Sequence, residues 1–247
     1  MGVPVKPIDS AVIENELAEY EACDRIFVPS LFARKTFLDA GFADSKIWSL
    51  PYGVDLSRWR QLPAPDDGKF RVIFLGSLSL RKGIHDLLAG FAAAALPNSE
   101  LVLIGANTSA TEHLLAPYRA LSNVIRTGPL PHAKVLEWFS RGSVFVLPSI
   151  EDGFGLVLME AQACGLPVIA TSNSGGPDVV DPERCNGFVV PIRAPTAIAE
   201  RLTYLYTNPG HLRAMRSASL KRAAEMQGWS AFGDGMIQRY RALRESP

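Results

Sequence analysis

Two carboxylates bracket a glycine-rich turn in the stretch EDGFGLVLMEA, residues 151 to 161. Gly153 and Gly155 let the backbone around Phe154 approach a ligand closely, and a helix opening there leaves its first N–H groups as free donors. Such an end suits a phosphate. Asp152 beside it, with Glu151 one place earlier, would repel the phosphate but accept hydrogen bonds from neutral hydroxyls next to it. Glu160, more than a turn into the helix between Met159 and Ala161, is costly to bury unpaired, and a second diol would satisfy it. Carboxylate, phosphate cradle and carboxylate, in that order, read as the layout for a sugar, a diphosphate and a ribose. The competing reading is local: Asp152 caps the helix and Glu160 is merely exposed.

A second candidate is FLGSLSLRKG, residues 74 to 83. Arg81 and Lys82 stand at the N-terminal edge of a helical pattern, where the dipole disfavours cations by about 0.3–1 kcal/mol each. An anion held there by backbone N–H groups and Lys82 would reverse the sign; otherwise the two are solvated surface cations. Neither GxxxxGK[ST] nor GxGxxG is present. The pair Gly175-Gly176 in NSGGPDVVD again places flexible backbone after an apolar run, as a binding turn or as an ordinary strand-to-helix connection. No Ser-His-Asp or Cys-His arrangement can be argued, and His132, after a proline, reads as a surface residue.

The elements that must position these residues alternate. From residue 70 the apolar runs RVIFLG, ELVLIG, NVIRTG, SVFVLPS, LPVIAT and NGFVVP are short, β-branched and flanked by Gly or Pro. Helical patterns over 82–95, 109–120, 132–140 and 155–164 separate most of them. This predicts an α/β fold, a six-stranded and mainly parallel sheet over residues 70–191 covered by helices on both faces, with ligands at the carboxyl ends of the strands. Beyond Pro195 the chain reads as three helices, broken at Asn208-Pro209-Gly210 and near Gly228-Trp229. Residues 10–22 and LFARKTFLDAG read as helices around a short strand at 24–30, with Ser30 as a cap and Gly41 as a stop. KIWSLPYGVD is an exit segment, and QLPAPDDGK, residues 61–69, is a linker or surface loop.

Composition narrows the class. Hydrophobic residues make up 47% of the 247, ample for a packed core. Lys+Arg and Asp+Glu are 25 each, so the formal charge is zero, which argues against a nucleic-acid partner. Three cysteines without CxxC spacing read as a reduced, cytoplasmic protein. The four histidines form no metal-ligand pattern, and Asp66-Asp67 is an unconvincing one. No apolar run is long enough to span a bilayer, and the first residues lack a signal-peptide layout; Pro4 speaks against acylation at Gly2.

The segments PYGVD (51–55), FLGSLSLRKG (74–83), VIRTG (124–128), VLPSIEDGFGLVLMEAQACGLPVIAT (146–171), SGGPDVV (174–180), NGFVVP (186–191) and WSAFGDGMIQRY (229–240) together resemble the C-terminal half of a retaining GT-B glycosyltransferase of family four. The resemblance implies two Rossmann-like domains facing a cleft, the C-terminal one holding a nucleotide diphospho-sugar, with no metal and no cofactor. It divides the chain into the end of an N-terminal domain (1–50), a donor-binding domain (51–228) and a last helix crossing back (229–247). The family's E-x7-E pattern falls on Asp152 and Glu160, which it implies face the donor sugar and the ribose. Lys82 matches a phosphate-binding lysine, and backbone around Phe154, Gly155, Leu156 and Val157 would face the pyrophosphate and sugar. Gly76, Ser77, Arg81 and Arg126 complete the implied donor site.

This chain departs from the pattern in two residues. Asp152 is one methylene shorter than the family's glutamate, so sugar contact shifts or passes to Glu151. Ser77 stands where the family has an arginine, a charge that Arg81 would then supply. The implied activity is hexosyl transfer to an acceptor (a saccharide, a lipid or a small molecule), with retention at the anomeric carbon. The family's acceptor domain is longer than residues 1–50, so a donor-binding module without independent turnover is the alternative, as is, more remotely, a GT-B sugar-nucleotide epimerase. Membrane contact, if any, would be peripheral and made by that N-terminal domain.

Overall fold

Asp9 opens the first helix, α1 (Ser10–Ala22), by accepting a hydrogen bond from the Ala11 N–H at 3.0 Å. The computed structural model describes residues 8–63, 67–108, 111–226 and 228–245; Gly2, Asp66 and the start of the helix expected at 109 lie outside them. The chain then makes β1 (Ile26–Val28) and α2 (Leu31–Asp39). Ser30 caps α2 through the Ala33 N–H, and Gly41, at φ +90°, ends it. The exit segment is corrected: its first residues form β2 (Ile47–Ser49), which pairs in parallel with β1, Ile26 opposite Ile47. Three residues are too few to show a period, and only the buried contact of Ile47 with the β1 side chains fixes the strand.

The main sheet has six strands: β3 (Phe70–Leu75), β4 (Ser99–Ile104), β5 (Val124–Gly128), β6 (Val144–Leu147), β7 (Val168–Thr171) and β8 (Gly187–Val190). They lie in the order β5-β4-β3-β6-β7-β8 and every pair is parallel, as the alternation of runs predicts. Ile73, Val102 and Phe145 enter one core and their neighbours Val72, Leu101, Val144 and Val146 the other, the period-2 consequence of a sheet buried on both faces.

Between and after the strands come α3 (Ile84–Ala94), α4 (Thr111–Leu115), α5 (His132–Arg141), α6 (Val157–Ala163), α7 (Gly176–Val179), α8 (Pro195–Thr207), α9 (Pro209–Glu225) and α10 (Trp229–Glu245). α3 and α8 fill one core, α5 and α6 the other. The helices expected from 82 and 155 begin two residues late, because Gly83 and Gly155 hold φ of +67° and +80°, outside the helical region. The one expected over 109–120 shrinks to α4 and a single 3-10 turn, Ala116–Tyr118, built on Pro117.

Strand order reverses between β3 and β6, the sheet's first and fourth strands, so the loops leaving them diverge and a crevice opens at their carboxyl ends. The last helix, α10, returns to the N-terminal elements: the Arg239 guanidinium donates to the Ser49 carbonyl at 2.8 Å and Tyr240 packs on Phe27. No helix among the described residues is long and apolar enough to cross a membrane.

Candidate functional site

The loops after β3 and β6 are laced together across the crevice. The Ile150 N–H donates to the Arg81 carbonyl at 2.8 Å. Lys82 Nζ sits 2.5 Å from Asp152 Oδ2, the two side chains 17% and 13% exposed. Arg81 meets Glu151 at 3.0 Å, both about half exposed. The inner pair is thus shielded from water and the outer one is a surface contact of small energetic weight. Gly83 permits this lacing. Its left-handed backbone suits glycine, and a Cβ there would stand 1.9 Å from the Pro148 carbonyl oxygen. Gly83→Ala is expected to cost at least about 2 kcal/mol in urea unfolding, because both the backbone strain and the displaced Pro148 strand end must be met.

A cavity of about 520 Å³ lies beneath the lacing. Lys82, Asp152, the segment Gly153–Val157 and Glu160 line it, with Leu75, Leu147, Pro29 just after β1 and Tyr52 just after β2. The 153–157 loop is braced from three sides. The Gly153 carbonyl accepts from Ser30 Oγ at 2.5 Å, the Phe154 carbonyl from the Gly175 N–H at 2.7 Å, and the buried Phe154 ring meets Tyr52 edge-on at 5.5 Å. Gly175-Gly176 therefore brace the loop and do not line the cavity. With both carbonyls engaged, the N–H groups of Gly153, Phe154, Gly155, Leu156 and Val157 donate to no protein acceptor among the described residues. Five adjacent unpaired donors around a cavity make a site for an anion. The α6 helix behind them has seven residues, so the loop's own N–H groups, more than a helix dipole, supply the positive field.

Glu160 points into the same cavity one turn later. Among the described residues no group donates to its carboxylate, and burial pushes its pKa up to about 7, against a smaller opposing pull from Arg58. Cys164, one turn further, is pushed up to about 12 by burial and by Glu160. Asp152 does not cap α6: its N–H donates to the Asn173 carbonyl and its carboxylate serves Lys82.

Not all the expected residues converge. Gly76 continues the ladder by donating to the Ile104 carbonyl at 2.9 Å, and the Ser77 hydroxyl faces Ser79; neither lines the cavity. The Arg126 side chain turns to Glu112, 2.7 Å away, in a separate groove beside α4. His132 is corrected from a surface residue to a half-buried one, its ring centroid 4.4 Å from that of Trp59. Tyr52, Pro29, Ser30 and Arg58 are the contributors that the residue pattern left unassigned. Of these, Tyr52 falls within the PYGVD motif and Ser30 reads as a helix cap, but neither signal pointed to the cavity. Among the described residues no group of three or more His, Cys, Asp or Glu side chains is placed to hold a metal ion.

Known proteins share this architecture. A D-inositol 3-phosphate glycosyltransferase of Catenulispora acidiphila is 29% identical over 260 residues, covering 95% of this chain and 61% of the relative. The sucrose-phosphate synthase of Thermosynechococcus elongatus superposes with a TM-score of 0.82 at 27% identity, over 95% of this chain and 62% of that one. Anabaena HepE, solved in complex with UDP and glucose, gives 0.82 at 16% identity over 95% and 68%, a likeness of fold. The chain thus spans about three fifths of the length of the first two. Residues 56–222, from just before the sheet through the site to the end of α9, match the glycosyl transferases group 1, and the chain belongs to that family.

Proposed function

We propose that this chain carries the donor-binding half of a glycosyltransferase, which moves a hexosyl group from a nucleotide diphospho-sugar to an acceptor with retention. One observation carries the reading: a cation, a loop whose five backbone N–H groups are unpaired among the described residues, and two carboxylates of different environment line a single cavity. The N–H groups and Lys82 would hold the diphosphate, and Glu160 would accept from the ribose hydroxyls. Asp152, released from Lys82 when phosphate arrives, would accept from the donor sugar. Electrostatic stabilisation of the departing diphosphate is then the main catalytic contribution of this half.

In this reading residues 1–50 belong to the acceptor-side domain, with α10 crossing to it, and residues 51–228 form the donor domain. The separate parallel pair β1–β2, and Pro29 just after β1 at the cavity wall, support that division. The Catenulispora relative's name makes D-inositol 3-phosphate the first acceptor to try, and the HepE complex makes UDP the first nucleotide. Titration of the chain with UDP and with UDP-glucose, beside ADP- and GDP-sugars, tests the reading. Saturable binding of a nucleoside diphosphate, weakened in Glu160→Gln, is expected, whereas no binding of any of them would overturn it. A turnover assay with an acceptor separates an enzyme from a module that binds and does not transfer.

A further inference from the structure

At the opposite end of the sheet, where β3 and β6 begin, lies a second cavity of about 630 Å³. Among the described residues five cations line it, Lys69, Arg71, Arg141, Arg213 and Arg216, against one carboxylate, Asp67. Two of the five are already compensated. Arg71 is held by Asp67 and, at 2.8 Å, by Glu100, which also takes Lys69. The other three have no carboxylate partner among the described residues. Arg216 is half-buried, its guanidinium bonded among the described residues only to the Gly142 carbonyl, and burial lowers its pKa. In a chain of zero net charge, three guanidinium groups without a carboxylate partner among the described residues are a local excess, and for half-buried Arg216 desolvation makes it costly. An anion in the cavity offsets that excess.

We propose that this cavity is a second anion site, about 20 Å from the first by the length of the six-residue β3, and that it takes a small, multiply charged phosphate compound. The forked donors of arginine match phosphate oxygens in pairs. Three unbalanced positive charges call for an anion carrying more than the single charge of a carboxylate. Exposed Arg141 and Arg213 converge from different helices, as a compact polyanion requires and as a long flat surface would not.

Inorganic pyrophosphate is the probe, added to the isotope-labelled full chain while backbone amide resonances are followed. The amides of Gly142, Ser143 and Arg213 are expected to shift along one saturation curve. In the double variant Arg141→Ala/Arg213→Ala the midpoint of that curve should rise at least roughly tenfold, the loss for charged hydrogen bonds. The amides of Gly153 to Leu156 report the other cavity and should be unaffected by these substitutions, so the two sites are read separately. Arg213→Lys, which keeps the charge, should lose less, and thermal unfolding checks that each variant folds. Amides near Gly142 that do not shift, or a midpoint unchanged in the double variant, would overturn the proposal. Shifts seen only with vesicles of anionic lipid, and not with free pyrophosphate, would overturn it too.

Discussion

Replacing Lys82 by alanine is expected to weaken nucleoside-diphosphate binding by about 2–4 kcal/mol, more than the roughly 1.5–3 kcal/mol of one charge-assisted hydrogen bond. The excess comes from Asp152. In the native chain its carboxylate is neutralised by Lys82 at 2.5 Å. Without Lys82 it stands unpaired beside the diphosphate site and repels the ligand. The converse substitution should have the opposite sign. Asp152→Asn frees Lys82 from a competitor, so a bare nucleoside diphosphate should bind up to about tenfold tighter, while a sugar-bearing donor loses an acceptor for its hydroxyls and gains nothing. The double variant Lys82→Ala/Asp152→Asn should recover about 1–2 kcal/mol of the single loss, a coupling of the size that contacting residues show. Calorimetry on the four proteins closes the cycle. Additive effects would mean that the pair does not guard the phosphate site, and equal losses for a bare nucleoside would mean that Lys82 never meets phosphate. Glu151→Gln serves as the control: its carboxylate is half exposed and faces Arg81, so it should leave both ligands nearly unchanged.

That cycle depends on a contact that no reading of the chain could have supplied. Six apolar runs separated by helical patterns were enough to predict the parallel sheet, since a strand buried on both faces must be apolar throughout. The glycines at 153 and 155 and the acids around them were enough to mark one loop for a phosphate and its hydroxyl-bearing neighbours. Lys82 and Asp152 are 70 positions apart, and their pairing follows from the reversal of strand order between β3 and β6, which is a property of the folded sheet. The same holds for the brace on Gly153. Ser30 looks like a helix cap and is one, but its hydroxyl also donates across 123 residues to the loop that it holds. Arg126 shows the converse. It lies within β5 in the right motif, yet Glu112 on the short α4 takes its guanidinium at the sheet's edge. Its position was legible and the direction of its side chain was not. β2 escaped for a simpler reason, being three residues long and specified only by its partner.

Glu160 should make nucleotide binding fall steeply as the solution is acidified through neutrality. Its pKa of about 7 in the free protein comes first from burial, with Arg58 pulling the other way; Cys164 and the Lys82–Asp152 pair are the other ionisable groups around it. Ribose hydroxyls donate more strongly to the ionised carboxylate, whose two oxygens both accept, so the bound state favours loss of the proton. The dissociation constant should therefore rise by up to about tenfold per pH unit below 7 and level off above it. A diphosphate has its own ionisation near pH 6, and Glu160→Gln separates the two: the variant keeps only the ligand's share of the slope. Near pH 7 binding should release about half a proton from this site, read by calorimetry in buffers of different ionisation enthalpy, and the variant should release none from it. The free protein carries the cost of this arrangement. Because the folded pKa lies above the unfolded value near 4.5, the contribution to stability is complete below about pH 4.5 and is lost as pH rises toward 7. Glu160→Gln should consequently be more stable than the native chain at pH 8, by about 1–3 kcal/mol once contact with water is allowed for, and no more stable at pH 4. Greater stability joined to weaker binding is the signature of a carboxylate kept unpaired for a ligand. A variant that binds as tightly as the native chain, with the same proton release, would show that Glu160 is buried for packing and that the ribose lies elsewhere.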